Sequence, residues 1–242
     1  MDSIHVTEAF STKAAAFIAS VLRLQPQVAA LDCDGTLWAG DAGGGFFEWE
    51  LSHGVVPEEV VRWARARYAE YLAGQVDETT MCAEMVTIHR GLDEVEVQRA
   101  ADRYFEENMI AAIFPEMREL VRRLQESGCD VWAVSSTSEW VIRAGMRHFG
   151  IPENRILAAS VEIDDGCITD RIVRVPSGEG KALALRDVVR RDPDVAFGNS
   201  RWDVDMLEIA RHAFAVNPNP DLEEIARAKR WPIYFPDSIR RP

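Results

Sequence analysis

Short apolar runs alternate with longer segments of helical periodicity along most of the 242-residue chain. The apolar runs predict six strands: Gln27–Asp32, Asp130–Ser135, Arg155–Ile163, Val195–Gly198, Ala213–Val216 and Ile233–Phe235. Apolar residues at helical spacing predict helices between most of these strands, including Ser138–His148, and an amphipathic helix at Ala14–Leu22. Strands that alternate with helices predict an α/β fold with a doubly wound parallel sheet and a site at the carboxyl ends of the strands.

The stretch 38–114, between the first two strands, is too long for a simple crossover. Helical periodicity predicts three helices within it: Pro57–Leu72, Thr79–His89 and Asp93–Ile110. We therefore expect a helical domain inserted at residues 38–114, with a core domain formed by residues 1–37 and 115–242. The glycines of segment 40–45 predict a mobile hinge where the insertion begins, because clustered glycines let a lid move. A rigid subdomain with a loose loop is the alternative.

Composition excludes several classes of protein and partner. The 40 acidic and 27 basic side chains give a net charge of −13, so we expect neither nucleic acid nor an anionic membrane as a partner. A hydrophobic content of 47% excludes general disorder. No run approaches the ~20 apolar residues that cross a bilayer, and the run at 14–22 suits a helix better than a signal peptide. Four scattered cysteines without metal-binding spacing indicate reduced thiols in the cytoplasm.

Asp32 and Asp34 directly follow the first predicted strand, in the segment Asp-Cys-Asp-Gly-Thr that ends at Thr36. Residues two apart at a strand end point the same way, so both carboxylates can face one pocket. Gly35 permits a sharp turn beneath it. Carboxylates this close repel unless a cation lies between them, and Mg²⁺ prefers oxygen ligands. The segment predicts covalent catalysis, with one Asp attacking phosphorus and the other moving a proton; a solvated Asp pair at a turn is the alternative.

Two later segments bring phosphate-binding groups to a strand end and a helix start. Ser135 ends the second strand and is the expected phosphate ligand, with Ser136 and Thr137 as substitutes, because hydroxyls and free N–H groups at a helix start bind phosphate oxygens. Lys181 follows a glycine-rich turn at another helix start, where a cation is unfavourable unless an anion lies nearby. An ordinary helix cap and a solvated lysine are the alternatives.

A further segment, Val195–Leu207, combines a short strand, a glycine turn and a polar cluster that opens a helix. Asn199 and Asp203 are positioned to supply oxygen ligands to the same cation. Asp205, two residues further along, is rotated off that helix face and is the weaker candidate. An ordinary helix cap with Asp in its first turn is the alternative.

In this order the four segments resemble the haloacid dehalogenase (HAD) superfamily of phosphohydrolases, especially its phosphoserine phosphatase-like branch. The family pattern Asp-x-Asp-Gly-Thr corresponds to residues 32–36, and Ser135 and Lys181 match the next two motifs. The last motif, Gly-Asp-Ser-x-x-Asp, corresponds to residues 198–203, with Asn199 where Asp is usual. The resemblance covers nearly the whole chain and implies a Rossmann-like HAD core with an inserted helical cap. The departure at Asn199 removes one negative charge from the metal site.

The resemblance also implies a mechanism, namely that of a Mg²⁺-dependent phosphomonoesterase acting on a small-molecule phosphate ester in the cytoplasm. Asp32 attacks phosphorus to form an aspartyl-phosphate, while Asp34 protonates the leaving oxygen and then deprotonates the attacking water. Ser135, Ser136 and Lys181 hold the phosphate oxygens, where charge collects in the transition state. The implied Mg²⁺ ligands are Asp32, the Asp34 carbonyl, Asp203 and Asn199.

Residues near the start of the insertion indicate a cationic leaving group. Aromatic faces interleaved with carboxylates suit an ammonium group, and the expected set is Trp38, Glu48, Trp49 and Glu50. The phosphoserine phosphatases use a cap arginine to bind the substrate carboxylate, and Met85 corresponds to it here. The expected substrate is therefore an amine-bearing phosphate such as phosphocholine, which agrees with a similarity to bacterial phosphorylcholine phosphatases. Packing of these aromatics inside the insertion is the alternative.

Other functions use the same core. A phosphoserine phosphatase-like enzyme or a phosphomutase would share these residues, and a catalytically weak HAD-fold binding protein would explain Asn199. A 2-haloacid dehalogenase would not need the acid at Asp34. A phosphonate-cleaving relative would need a Schiff-base lysine in its cap, and the stretch 38–114 contains no lysine.

Overall fold

A seven-stranded sheet forms the centre of the protein in a computed structural model that describes residues 10–239. The strands are β1 (Val28–Leu31), β2 (Asp130–Ser138), β3 (Ile156–Asp164), β4 (Cys167–Arg174), β5 (Val195–Gly198), β6 (His212–Val216) and β7 (Ile233–Tyr234). In space they lie in the order β4-β3-β2-β1-β5-β6-β7. Every neighbouring pair is parallel except β3 and β4. The predicted α/β class is confirmed; the chain ends of the predicted core, 1–9 and 240–242, lie outside the described residues.

Helices connect most of the strands. They are α1 (Thr12–Leu22), α2 (Ala42–Ser52), α3 (Glu58–Leu72), α4 (Glu78–Thr87), α5 (Glu94–Asn108), α6 (Pro115–Glu126), α7 (Glu139–Met146), α8 (Glu179–Val188), α9 (Val204–Ile209) and α10 (Pro220–Lys229). Within residues 10–239, none of the helices combines the length and the hydrophobicity that a bilayer-spanning segment requires.

Two apolar clusters cover the two faces of the sheet. Ala29 and Leu31 of β1 belong to a cluster that also contains buried side chains of α1, α6 and α7. Val28 and Ala30, which point the other way, belong to a cluster with side chains of α8, α9 and α10. Burial on both faces explains why the parallel strands are continuous apolar runs rather than alternating ones.

The six predicted strands are all present, with ends that differ by up to three residues. The structure has one further strand, β4, which was not predicted. This antiparallel strand lies at the edge of the sheet, and most of its side chains are exposed, so it lacks the apolar run that marks the other strands. The second strand also continues to Ser138, where a helix was predicted to begin; α7 begins one residue later.

The helices α2 to α5, here called the inserted helices, lie in sequence between β1 and α6. Three of them agree with the predicted helices to within two residues at each end. Part of the glycine segment that was predicted as a hinge is helical, because α2 begins at Ala42 and contains Gly43 and Gly45. A Cβ on Gly43 would lie 2.5 Å from Thr137 Oγ1, and one on Gly45 would lie 2.0 Å from Tyr104 Oη. These two glycines permit close packing of α2, and a hinge at the segment stays a prediction.

Backbone hydrogen bonds hold the inserted helices on the core in two places. Where the insertion begins and ends, the Ala39 N–H donates to the Ala112 carbonyl at 2.9 Å. On the far side, the Gly91 N–H donates to the Ile168 carbonyl at 2.8 Å, and the Ile168 N–H donates to the Leu92 carbonyl at 2.9 Å. The loop before α5 therefore continues the edge of the sheet beside β4.

Candidate active site

A cavity of about 520 Å³ lies between the carboxyl ends of β1, β2 and β5 and the inserted helices. The predicted site residues that line it are Asp32, Asp34, Glu50, Ser135, Ser136, Lys181 and Asn199. The predicted site residues that do not line it are Trp38, Glu48, Trp49 and Asp203. The four motifs, spread over much of the chain, therefore meet at one edge of the sheet, as the parallel topology requires.

Asp32 directly follows β1, and both of its carboxylate oxygens accept hydrogen bonds. Oδ1 accepts from Lys181 Nζ at 2.6 Å, and Oδ2 accepts from Thr36 Oγ1 at 2.7 Å. Gly35 turns the chain between Asp32 and Thr36 with a φ of +72°. A Cβ at Gly35 would lie 1.8 Å from the side-chain nitrogen of Asn199. Glycine therefore permits both the turn and the close approach of the first and last motifs.

Lys181 connects Asp32 to Asp203 in a buried triad. Its Nζ lies 2.6 Å from the Oδ1 atom of each carboxylate, and only 2% of the lysine is exposed. The other oxygen of Asp203 accepts the backbone N–H groups of Asn199 and Ser200, both at 2.9 Å. Asp203 is fully buried and does not line the cavity, so its position does not support the predicted role as a Mg²⁺ ligand.

The buried charges shift one another's pKa. Burial, followed by the charge of Asp203, raises the pKa of Asp32 to about 7, although Lys181 opposes the shift. Burial alone would lower the pKa of Lys181, but Asp203 and Asp32 raise it above its ordinary value. Burial, followed by the charge of Asp41, raises the pKa of Asp34 to about 6. Asp34 is thus suited to give and take a proton near neutral pH.

Three donors hold the carboxylate of Asp34. Its Oδ1 accepts from Trp38 Nε1 at 2.7 Å and from the Ala42 N–H at 2.6 Å. Its Oδ2 accepts from Thr137 Oγ1 at 2.7 Å. Trp38 is fully buried and packs edge-on against Phe105, with ring centroids 5.2 Å apart. The prediction that Trp38 forms part of a substrate pocket is therefore wrong, and its indole instead positions a carboxylate.

Consecutive hydroxyls at the end of β2 line the cavity. Ser135, Ser136 and Thr137 all do so, although successive residues of a regular strand point to opposite faces. The pairing of β2 with β3 shifts register between Val134 and Ser138, which explains the exception. Since Thr137 donates to a carboxylate, the hydroxyls of Ser135 and Ser136 remain the predicted phosphate ligands.

Asp32 and Asn199 are the predicted metal ligands whose side chains reach the cavity. The Asn199 side chain forms no hydrogen bond with the rest of residues 10–239. No three His, Cys, Asp or Glu side chains of the described chain form a metal-holding group. A carboxylate, an amide oxygen and the predicted Asp34 carbonyl still match Mg²⁺, which binds hard oxygen ligands and keeps several waters. Asp205 does not line the cavity; its carboxylate lies near Gly178.

The inserted helices line the opposite wall of the cavity with aromatic and acidic side chains. The aromatic residues are Phe46, Phe47, Tyr68 and Tyr71, and the acidic ones are Asp41, Glu50 and Glu78. The hydroxyl of Tyr71 donates to the Glu78 carboxylate. Among the described residues that line the cavity, Lys181 on the core side is the only Lys or Arg. The wall formed by the inserted helices therefore contributes carboxylates but no Lys or Arg to the cavity lining.

The predicted aromatic cage at the start of the insertion does not form. Glu50 is buried and lines the cavity, but Glu48 is exposed and Trp49 stacks on His53 with ring centroids 4.2 Å apart. The reason is the helical phase of α2, since residues one or two positions apart in a helix point in different directions. Trp38 donates its indole N–H to Asp34 instead. Of the four predicted residues, Glu50 is therefore the one that lines the cavity.

Several cavity residues were missed by the sequence analysis. Tyr68 and Tyr71, three residues apart, share one face of α3, and this spacing was a usable signal. Nothing in the spacing indicates that the shared face meets the cavity, because that depends on how α3 packs. Asp41 was missed because it lies within the glycine-rich segment that was interpreted as a hinge; its carboxylate caps α2 by accepting the Gly44 N–H at 2.8 Å.

Comparison with known proteins identifies relatives of the chain. The sequence model of the haloacid dehalogenase-like hydrolase family matches residues 29–208. A probable phosphatase of Mycobacterium tuberculosis is 28% identical over 169 residues, which cover 68% of this chain and 55% of that protein. The chain thus spans about half the length of that relative. A histidinol-phosphatase of Neisseria meningitidis is 25% identical over 217 residues, which cover 85% of this chain and 97% of that protein.

The fold also occurs among solved structures. A protein of unknown function from Bordetella pertussis superposes with a TM-score of 0.73 at 22% sequence identity. The superposition covers 86% of this chain and 97% of that one. At this level of identity, the likeness establishes the fold.

We expect Lys181→Met to lower the free energy of unfolding by about 3–5 kcal/mol, because it leaves Asp32 and Asp203 buried together without a counter-charge. Urea denaturation at neutral pH measures the change. Lys229→Met is the control, since it removes an exposed lysine from an ion pair with Glu208 (2.7 Å) and should cost less than about 1 kcal/mol. Equally small losses in both variants would contradict a stabilising role for the buried triad.

Proposed function

The chain belongs to the haloacid dehalogenase-like hydrolases, and we propose that it is a phosphatase that hydrolyses a small phosphomonoester through an aspartyl-phosphate on Asp32. The observation that carries the proposal is the pair of carboxylates in one cavity, held by different partners. Lys181 binds Asp32, while Trp38 and Thr137 bind Asp34. Such a pair supplies a nucleophile and a separate proton donor. In this proposal, residues 38–114 act as the cap and the remainder as the core.

In the first step, a carboxylate oxygen of Asp32 attacks phosphorus in line with the leaving oxygen. The bond between phosphorus and the leaving oxygen breaks, and Asp34 gives its proton to that oxygen, which departs as an alcohol. Each oxygen of Asp32 accepts one hydrogen bond in the structure and keeps a lone pair for the attack. Lys181 and the hydroxyls of Ser135 and Ser136 stabilise the charge on the phosphoryl oxygens.

In the second step, water attacks the phosphorus of the aspartyl-phosphate. Asp34, now ionised, takes a proton from the water, and the bond between phosphorus and Asp32 breaks to release inorganic phosphate. The two roles of Asp34 require a pKa near the working pH, and its raised value of about 6 supports the assignment.

Mg²⁺ is the proposed cofactor, bound by Asp32, the Asp34 carbonyl and Asn199. When bound, it neutralises charge on the phosphoryl oxygens and on the carboxylates around them. The buried carboxylates support this assignment, because Lys181 balances only one of the two charges of Asp32 and Asp203. The unpartnered side-chain amide of Asn199 supplies the neutral ligand in place of the usual aspartate.

The proposed substrate is a phosphomonoester whose leaving group carries an amine, such as phosphocholine. The negative wall supports it, since Asp41, Glu50 and Glu78 line the cavity, whereas no Lys or Arg of the described inserted helices does. Histidinol phosphate, which the name of the Neisseria relative indicates as that protein's substrate, also bears an amine. Phosphoserine is the less favourable alternative, because its carboxylate would face this wall without a cation, and Met85 lines the cavity where an arginine would be needed.

Asp32→Asn should abolish turnover, because an amide cannot form the acyl-phosphate. Phosphate release is measured with Mg²⁺ for phosphocholine, phosphoethanolamine, histidinol phosphate, phosphoserine and p-nitrophenyl phosphate, in the wild type and in the variant. Activity above a few per cent of the wild-type rate would show that Asp32 is not the nucleophile. A wild type that binds these esters but releases no phosphate would favour the phosphomutase or the binding protein.

Trp38→Phe should lower kcat/KM for alkyl phosphates by about tenfold or more, because Asp34 loses a charged hydrogen bond while the ring packing remains. The kcat/KM for p-nitrophenyl phosphate should change far less, since it reports the steps up to the aspartyl-phosphate and this leaving group departs without a proton. Trp49→Phe, in the same part of the chain but without contact to Asp34, is the control. Equal losses on alkyl and aryl phosphates would contradict a role for Trp38 in protonation of the leaving group.

Asn199→Asp should reduce the half-saturating Mg²⁺ concentration by about tenfold, because a second carboxylate beside the cation strengthens its binding. The measurement is phosphatase activity against Mg²⁺ concentration. Asp205→Asn, which alters a nearby carboxylate outside the cavity, should leave the curve unchanged. An identical curve for Asn199→Asp would mean that this position does not bind the ion.

A further inference from the structure

Glu50 occupies a distinctive position on the wall of the cavity. It lies on the same face of α2 as Gly43 and Phe46, and only 1% of it is exposed. Gly43 packs against Thr137, which binds Asp34, so this end of the face adjoins the reacting carboxylates. Seven residues of α-helix separate Gly43 from Glu50, a rise of about 10 Å. Glu50 therefore lies at the end of the cavity away from the phosphate site.

The Glu50 carboxylate is only half satisfied by the protein. Its Oε2 lies 2.6 Å from His89 Nε2, and His89 is fully buried, with Nδ1 3.2 Å from the Val86 carbonyl. No other hydrogen bond to the Glu50 side chain is formed within the described chain, so Oε1 accepts none. A buried carboxylate oxygen without a donor is costly. An oxygen of this kind on a cavity wall is a binding position for a donor from the ligand.

The surroundings favour a charged donor over a neutral one. Phe46 and Phe47 flank Glu50 on the cavity wall, and an apolar, low-dielectric setting strengthens the attraction between opposite charges. Aromatic faces also attract cations directly. Glu78, on α4, adds a second carboxylate to the same wall. A carboxylate or phosphate at this end of a ligand would face two carboxylates and no Lys or Arg of the cavity lining.

We infer that Glu50 is the specificity-determining residue of this site, and that its free oxygen binds an ammonium group at the far end of the leaving group. His89 holds the other oxygen and so fixes the direction of the carboxylate. This assignment rests on the proposed phosphatase function, and it narrows the amine-bearing substrates to phosphomonoesters in which an alkyl chain of defined length separates the phosphate from the ammonium group that Glu50 binds.

The test uses two matched series of substrates. One consists of ω-aminoalkyl phosphates with two to six carbons, and the other of n-alkyl phosphates in which a methyl group replaces the ammonium. The ratio of kcat/KM between matched members measures the preference for ammonium. In the wild type, the ratio should exceed about ten at one chain length. It should be smaller for both shorter and longer chains. Glu50→Gln should bring the peak ratio close to one, because kcat/KM for the ω-aminoalkyl phosphates falls toward that of the n-alkyl phosphates.

Two further variants complete the design. Glu48→Gln removes an exposed carboxylate two residues away in the same helix, and it should leave the ratio unchanged. Glu50→Asp keeps the charge but shortens the side chain by one methylene, so the preferred substrate should become longer by about one carbon. If Glu50→Gln does not fold, Glu50→Asp still tests whether Glu50 binds the ammonium group. A purely structural role for Glu50 would not change the preferred chain length.

The possible outcomes test the role of Glu50 and the proposed phosphatase activity separately. If the wild type hydrolyses both series equally well, the phosphatase proposal stands and the role of Glu50 is overturned. The same holds if the ammonium preference survives in Glu50→Gln and the preferred length is unchanged in Glu50→Asp. A wild type that hydrolyses neither series nor p-nitrophenyl phosphate overturns both proposals.

Discussion

The site depends on one buried cation that holds two carboxylates from distant parts of the chain. Lys181 meets Asp32 and Asp203 at 2.6 Å each, across 149 and 22 residues of sequence. Burying these charges is expensive, and only close pairing with good geometry offsets the cost. The bridge can form only when β1, β5 and the start of α8 have reached their final places. Folding of the sheet and assembly of the catalytic groups are therefore the same event.

The sequence predicted the parts of the site that belong to strand ends, and it failed where packing decides. Asp32, Asp34 and Ser135 could be placed together because parallel strands bring their carboxyl ends to one edge. The orientation of Asp203 could not be predicted, because it depends on a helix cap and on a lysine far along the chain. The role of Glu48 could not be predicted either, because the start of α2 had been interpreted as a glycine hinge, which left the helical phase undefined.

Prediction of the strands also succeeded where a local pattern marks them and failed where it does not. Strands buried on both faces are long apolar runs and were found, whereas β4 is exposed and charged and was missed. An edge strand of this kind is recognisable only from its hydrogen-bonding partner.

The net charge of the whole chain does not predict which ligand the cavity binds. A net charge of −13 opposes a phosphate at long range, but a ligand that also carries an ammonium group has a smaller net negative charge and meets less of that opposition.

The attachment of the inserted helices to β4 has an evolutionary consequence. The bonds between Gly91, Leu92 and Ile168 join backbone to backbone, and none of these residues lines the cavity. Mutations can therefore replace the residues of the cavity wall without loosening the anchorage, and the anchorage can be inherited while ligand preference diverges. Insertions or deletions in the turn between β3 and β4 would have the opposite effect. They would shift the wall as a unit and alter the size of the ligand it admits, although no residue of that turn lines the cavity.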